Sequence, residues 1–120
     1  MTQESSQANY PRRGEIRIFQ GSNGQQVGVV VSECARNQQA DDVLIVPLSS
    51  SAHQAPGQPL ISSALSGLPE NRCAKCSELT RVEKRNIEQG PLGTLPETVL
   101  MQIVRAIRAA IGDTLVHPVH

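Results

Sequence analysis

The residues best equipped for chemistry meet at the end of one apolar run. Asp42-Val43-Leu44-Ile45-Val46-Pro47-Leu48 is followed directly by Ser49 and Ser50, so a strand carries a cluster of hydroxyls to its far end. A serine hydroxyl both donates and accepts, which suits a phosphoryl oxygen, although a serine that ends a strand more commonly bonds local backbone. His53 follows in the next loop, and imidazole titrates where proton transfer is useful. Cys73-Ala74-Lys75-Cys76 has the CxxC spacing, but zinc takes four ligands, and nothing pairs His53 or Cys34 at ligand spacing. Positions i and i+3 of a strand also face opposite ways. The two cysteines are therefore expected to be small hydrophobes, one in the core and one an exposed thiol, and neither a metal nor another cofactor is expected.

A chain of 120 residues makes one domain with a core of its own. Eleven basic and eleven acidic side chains cancel, which argues against a protein that grips polyanions by its overall charge. One stretch departs from that neutrality: Arg72, Lys75, Arg81, Lys84 and Arg85 stand against Glu78 and Glu83. A solvated edge accounts for such a stretch as readily as a nucleic-acid contact does. Tyr10 and Phe19 are the only aromatic side chains, so the core must be aliphatic and unstacked bases have few platforms. No run of about 18 apolar residues is present to span a bilayer, and the polar N-terminus has no apolar signal segment. A cytoplasmic protein without membrane contact is expected, and its odd count of three cysteines is expected to be reduced.

The elements that must position the hydroxyls follow from periodicity. Residues 1–11 are polar and expected to form a disordered arm, 12–112 the folded domain, and 113–120, with His117 and His120, a flexible tail. Ile16 and Ile18 alternate with Glu15 and Arg17, the period of a half-buried strand. Gly21-Ser22-Asn23-Gly24 predicts a hairpin turn, and 27–32 the returning strand. Residues 33–41 are expected to be a polar connection. The run 43–48 reads as a strand buried on both faces, with Pro47 marking an edge or a bulge. A loop over 49–59 and short strands at Leu60-Ile61, over 73–79 and at Leu92 follow. Thr80-Arg81-Val82-Glu83 reads as a capping box and predicts a helical turn over 81–85. Thr94-Leu95-Pro96-Glu97 is another, opening a helix with Val99, Ile103, Ile107 and Ile111 along one face, flanked by Leu100 and Val104, and ending at Gly112. The sum is mainly β, a small barrel capped by a C-terminal helix.

Six short segments, in order, carry a resemblance. They are Arg13-Gly14-Glu15-Ile16, Val29-Val30-Val31-Ser32, Val46-Pro47-Leu48-Ser49-Ser50, Ser66-Gly67-Leu68-Pro69, Val82-Glu83-Lys84-Arg85 and Leu95-Pro96-Glu97-Thr98. Together they resemble the MazF/PemK family of toxin endoribonucleases. The resemblance implies an SH3-like small β-barrel of the MazF/PemK/CcdB type that dimerises. It also implies cleavage of single-stranded RNA, including mRNA, at short motifs without a metal, and neutralisation by a cognate antitoxin whose disordered segment covers the RNA groove. In that chemistry the ribose 2′-hydroxyl attacks the adjacent phosphate while an arginine and a Thr or Ser hydroxyl stabilise the phosphorane.

Carried over residue by residue, the hydroxyl falls on Ser49 and the arginine on Gln26. Glutamine donates a hydrogen bond but brings neither charge nor a bidentate fork. Losing one such donor typically costs about 2.7–4 kcal/mol of transition-state stabilisation. Arg17 on the first strand is a candidate substitute, although an arginine on an alternating strand more commonly faces solvent, and Arg81 is a weaker candidate. Asn23 and Gln25 in the short first loop, Ser50, His53, and Ser77-Glu78, which take the place of the family's Asp-Gln, complete the expected RNA contacts together with Arg81. Two readings follow: a toxin endoribonuclease, or a catalytically degenerate dimer that binds RNA or protein. A gyrase-poison reading, from the related CcdB fold, is weaker because the Trp-Gly-Ile ending is absent from Leu115-Val116-His117-Pro118-Val119-His120. An aliphatic helix stripe and an exposed barrel edge give dimerisation a physical basis as well.

Overall fold

Alternation from Glu15 onward produces the first strand, β1 (Glu15–Gly21), which turns back as β2 (Gly24–Val30). Their register runs from Ile16 opposite Val29 to Gly21 opposite Gly24, leaving Ser22-Asn23 as a two-residue loop. Gly24 sits at φ 107°, a conformation open to glycine and strained for other residues. The computed structural model describes residues 10–50 and 57–112. The start of the expected arm, His53, and the expected tail with His117 and His120 lie outside the described residues.

The segment 33–41 is not merely a polar connection: it contains a short helix, α1 (Cys34–Gln39). The reason is a buried polar lock. Ser32 Oγ donates to Asn37 Oδ1 at 2.5 Å, Asn37 Nδ2 donates to the Ser32 carbonyl at 2.9 Å, and Leu44 N donates to Ser32 Oγ at 3.0 Å. Asn37 is fully buried, so these bonds replace the water it loses.

The third strand, β3 (Asp42–Ser50), is the hub. Its residues 45–47 pair with β2, its first four residues pair with β6 (Thr80–Glu83), and its last three pair with β5 (Arg72–Ala74). Pro47, which has no N–H to offer a ladder, stands where β6 gives way to β5 rather than at a sheet edge. The expected burial of this strand on both faces is observed: Val43 and Ile45 enter one apolar cluster with Phe19, Val30 and Val82, while Val46 and Leu48 enter a second with Ile16, Val29 and Ile61. With β4 (Leu60–Ile61) and β7 (Gly93–Thr94) the sheet order is β4-β5-β3-β2-β1-β7, with β6 beside β3, and every pairing is antiparallel. The sheet curls into a half-barrel. A short helix, α2 (Ser63–Ser66), precedes β5.

Three local expectations yield to tertiary pairing. The strand expected over 73–79 ends at Ala74, because Lys75 turns the chain and a 3-10 turn (Cys76–Glu78) follows. The helical turn expected over 81–85 is instead β6 and then a 3-10 turn (Lys84–Asn86), since pairing Val82 with Val43 buries Val82 and a lone helical turn would not. Thr94 does not cap the C-terminal helix. It pairs with Glu15 in β7, and α3 (Glu97–Ala110) begins after Pro96 with no side-chain cap. Glu97 meets Arg13 instead, at 3.2 Å. Leu100 and Ile103 of α3 are buried in the second cluster, with Val99, Ala106 and Ile107 packed against it, and Gly112 at φ 89° ends the helix. Ile111 stays 73% exposed. Among the described residues no helix is long and apolar enough to cross a membrane.

Candidate functional site

The β2–β3 ladder stops at the rung Gly28 opposite Pro47. Below it the strands part: Gln25, Gln26 and Val27 pair only with β1, and Leu48, Ser49 and Ser50 only with β5. The last rung is tight. A Cβ on Gly28 would lie 2.4 Å from Ile45 Cγ2 and 2.7 Å from the Val46 carbonyl oxygen, so only glycine lets β2 approach β3 before the two diverge. The resulting wedge is a groove of about 490 Å³. Ile18, Val27 and Leu48 give it an apolar floor, and Gln25, Gln26, Ser49, Arg72, Lys75 and Glu78 supply polar walls. Two cations face one carboxylate, a local excess that attracts an anion in an otherwise neutral chain.

Ser49 stands directly opposite Cys73 on β5, with its Oγ 3.3 Å from the thiol sulfur. The same sulfur approaches the Ser50 carbonyl at 3.5 Å and Gln58 Oε1 at 3.7 Å. Ser49 is half-buried, and its hydroxyl has the Cys73 thiol as a polar neighbour. Gln26 lies across the wedge, its amide folded over Gly21, where a Cβ would come within 2.8 Å of Nε2. The side chains expected to flank a scissile phosphate, Ser49 and Gln26, therefore share one groove.

A larger cavity of about 650 Å³ adjoins this groove, and Gln26, Pro47 and Glu78 line both. Asn23 and Arg81 belong to this second space. Arg81 is not a free cation: its Nε bonds Asp42 Oδ2, while Arg36 Nη2 bonds Asp42 Oδ1 at 2.6 Å. The Arg36 and Arg81 guanidiniums hold the Asp42 carboxyl below the usual carboxylate range.

Other expected residues lie elsewhere. Arg17 does not reach the groove. It is buried, with Nη1 on Glu15 Oε1 at 2.7 Å and Nη2 on the Glu88 carbonyl at 2.8 Å, in a cleft shared with Pro11, Lys84 and Pro91. The alternation of β1 explains this: Ile18 lines the groove, so Arg17 faces the other side. Ser77 faces Ala106, Ala109 and Ala110 of α3, because the 3-10 turn rotates it away. Gln25 lines the groove while its Nε2 donates to Glu88 Oε2 at 2.8 Å. Ser50 is exposed at the end of β3. The expected exposed CxxC thiol is absent: Cys73 and Cys76 are both buried, and Cys34 is the partly exposed one. Burial pushes the Cys76 thiol up to about 11. Arg72 and Lys75 are the groove residues that sequence reasoning did not single out, although the basic surplus between 72 and 85 was their trace.

Residues 11–111 match the model of the PemK-like, MazF-like toxins of type II toxin–antitoxin systems. The chain belongs to this family. Solved structures agree on the fold of this PemK-like chain. A mycobacterial endoribonuclease in complex with its cognate antitoxin aligns with a TM-score of 0.75 and 22% identity, over 90% of this chain and 99% of the other. MazF in a MazE–MazF complex from Deinococcus radiodurans gives 0.73 and 17%, over 88% and 98%. The Mycobacterium tuberculosis toxin MazF-mt6 gives 0.72 and 14%, over 81% and 95%. No curated protein matches the chain.

Proposed function

We propose that this PemK-like chain is a toxin endoribonuclease that cuts single-stranded RNA, mRNA included, at short sequence motifs without a metal. The supporting observation is the wedge between β2 and β3, a groove lined by Ser49, Gln26, Arg72 and Lys75. In this mechanism the 2′-hydroxyl gives up its proton to water as its oxygen bonds to the adjacent phosphorus, and the bond from phosphorus to the 5′-oxygen breaks. The departing 5′-oxygen takes up a proton, so the products are a 2′,3′-cyclic phosphate and a 5′-hydroxyl. Ser49 and Gln26 donate to the phosphorane oxygens, where the extra charge develops. Asn23, Arg81, Ser50 and His53 contact the flanking nucleotides. The protein acts in the cytoplasm as a homodimer, and a cognate antitoxin fills the groove. The test is incubation with a long defined RNA in EDTA, followed by mapping of the cut ends. Discrete cuts with 5′-hydroxyl ends are expected; intact RNA would refute the assignment.

One feature favours a second reading, a dimer that binds RNA or protein without cutting: the neutral Gln26 where the family carries arginine. Gln26→Arg separates the two. A large gain in cleavage identifies a degraded site, and little change identifies a rebuilt one.

A further inference from the structure

Phosphoryl transfer builds negative charge that a neutral amide at Gln26 cannot balance alone. The groove holds two cations, Arg72 and Lys75. We infer that Arg72 is a catalytic residue, donating from its guanidinium to the non-bridging oxygens of the scissile phosphate in the place Gln26 leaves open. This assignment rests on the endoribonuclease reading above.

Three observations single out Arg72. The first is its mounting. Arg72 opens β5, which is paired on both sides, opposite Ser50 of β3 and Ile61 of β4, so its Cα is fixed next to the strand end that carries Ser49. The second is its orientation. Nη1 donates to the carbonyl of Leu48, the residue just before Ser49, and only a quarter of the side chain is exposed, which keeps the head at the groove wall rather than in bulk solvent.

The third is its unspent hydrogen-bonding capacity. The Leu48 contact is long at 3.3 Å, the exposed Glu70 lies 4.0 Å from Nη2, and Nε is enclosed with no partner among the described residues. Arg36 and Arg85 hold carboxylates at 2.6 and 2.8 Å; Arg17, whose Nε is likewise unpartnered, spends both terminal nitrogens on Glu15 and the Glu88 carbonyl, away from the groove. A buried donor without a partner is costly and is uncommon unless something binds there. A small rotation of the head offers the Nε and Nη2 edge to two phosphate oxygens, the bidentate geometry that lysine cannot reproduce. Lys75 remains a point charge that raises local anion concentration.

The test compares single-turnover cleavage of one mapped single-stranded RNA by the wild-type chain, Ser49→Ala, Arg72→Ala, Arg72→Lys and the double variant Arg72→Ala/Gln26→Arg. Each protein is checked by thermal melting. Arg72→Ala is expected to lose about a hundredfold in rate. Arg72→Lys, which keeps charge and length without the fork, is expected to fall at least fivefold, and the double variant to regain at least tenfold over Arg72→Ala. If Arg72→Ala does not fold, Arg72→Lys decides, and a rate within twofold of wild type overturns the assignment. A folded Arg72→Ala within threefold of wild type, with Ser49→Ala impaired, overturns it while leaving the endoribonuclease reading intact. A wild-type chain that cuts nothing removes both.

Discussion

Ser49 and Cys73 face each other across the β3–β5 ladder with oxygen and sulfur 3.3 Å apart. A buried thiol therefore limits the rotamers of a hydroxyl proposed to touch phosphate. Cys73→Val keeps the shape but removes the polar partner. Its RNA cleavage is expected to fall three- to tenfold, and Cys73→Ser is expected to stay within twofold of wild type. Single-turnover rates for the two variants check this, and equal rates would show that the contact does not position Ser49.

Thiol chemistry distinguishes the three cysteines. Cys34 is partly exposed and receives only a long contact from Arg13 N, at 3.4 Å. Cys76 is buried against the Ile103 carbonyl, and its thiol is pushed up to about 11. Thiolate is the reactive form. In the native protein at pH 8, iodoacetamide is therefore expected to label Cys34 first and to leave Cys73 and Cys76 unlabelled until the chain is unfolded. Mass spectrometry of quenched samples reads the order.

Acid sensitivity follows from Asp42. Hydrogen bonds from Arg36 and then Arg81 hold its carboxyl below the ordinary value of 3.8. In the unfolded chain the carboxyl takes its proton at that ordinary value, while the native one resists until lower pH. The stabilisation is thus complete above about pH 4 and is lost as pH falls through the depressed native value. Melting temperatures should separate wild type from Asp42→Asn at pH 7 and draw together as pH falls below the ordinary carboxylate value.

Arg17 is a structural residue. Its ion pair with Glu15 and its bond to the Glu88 carbonyl tie β1 to the segment that crosses it. Removing one partner of a buried pair strands the other, so Arg17→Ala is expected to lose about 3 kcal/mol in urea unfolding. Cleavage per folded molecule should not change. A loss of cleavage without a loss of stability would return Arg17 to the catalytic site.

The legible part of the fold was carried by apolar period and glycine chemistry. The run from Val43 to Leu48 announced β3 and put Ser49 at its tip, and the short Gly21 to Gly24 turn fixed the hairpin register that brings Gln26 to the wedge. Arg17 misled because alternation marks a face without saying what covers it, and residues 84–91 fold over that face. Arg72 stayed hidden because β5 is three residues long, defined by pairing with β3 and β4 rather than by its own pattern. Thr94 looked like a cap, but its ladder to Glu15 joins it to the sheet. In each case the missing information was a long-range contact, which local sequence does not encode.

If the Ser49 groove directs a ribose 2′-hydroxyl onto its neighbouring phosphate, removing that one hydroxyl from the substrate abolishes the cut. The direct measurement uses two synthetic RNAs that differ only by a single 2′-deoxy nucleotide at a mapped cut, each incubated with wild type and Ser49→Ala. Cleavage of the all-ribose strand alone is expected, reduced at least tenfold by Ser49→Ala. Cutting of the 2′-deoxy strand at the same bond, or an unchanged rate for Ser49→Ala, would contradict it.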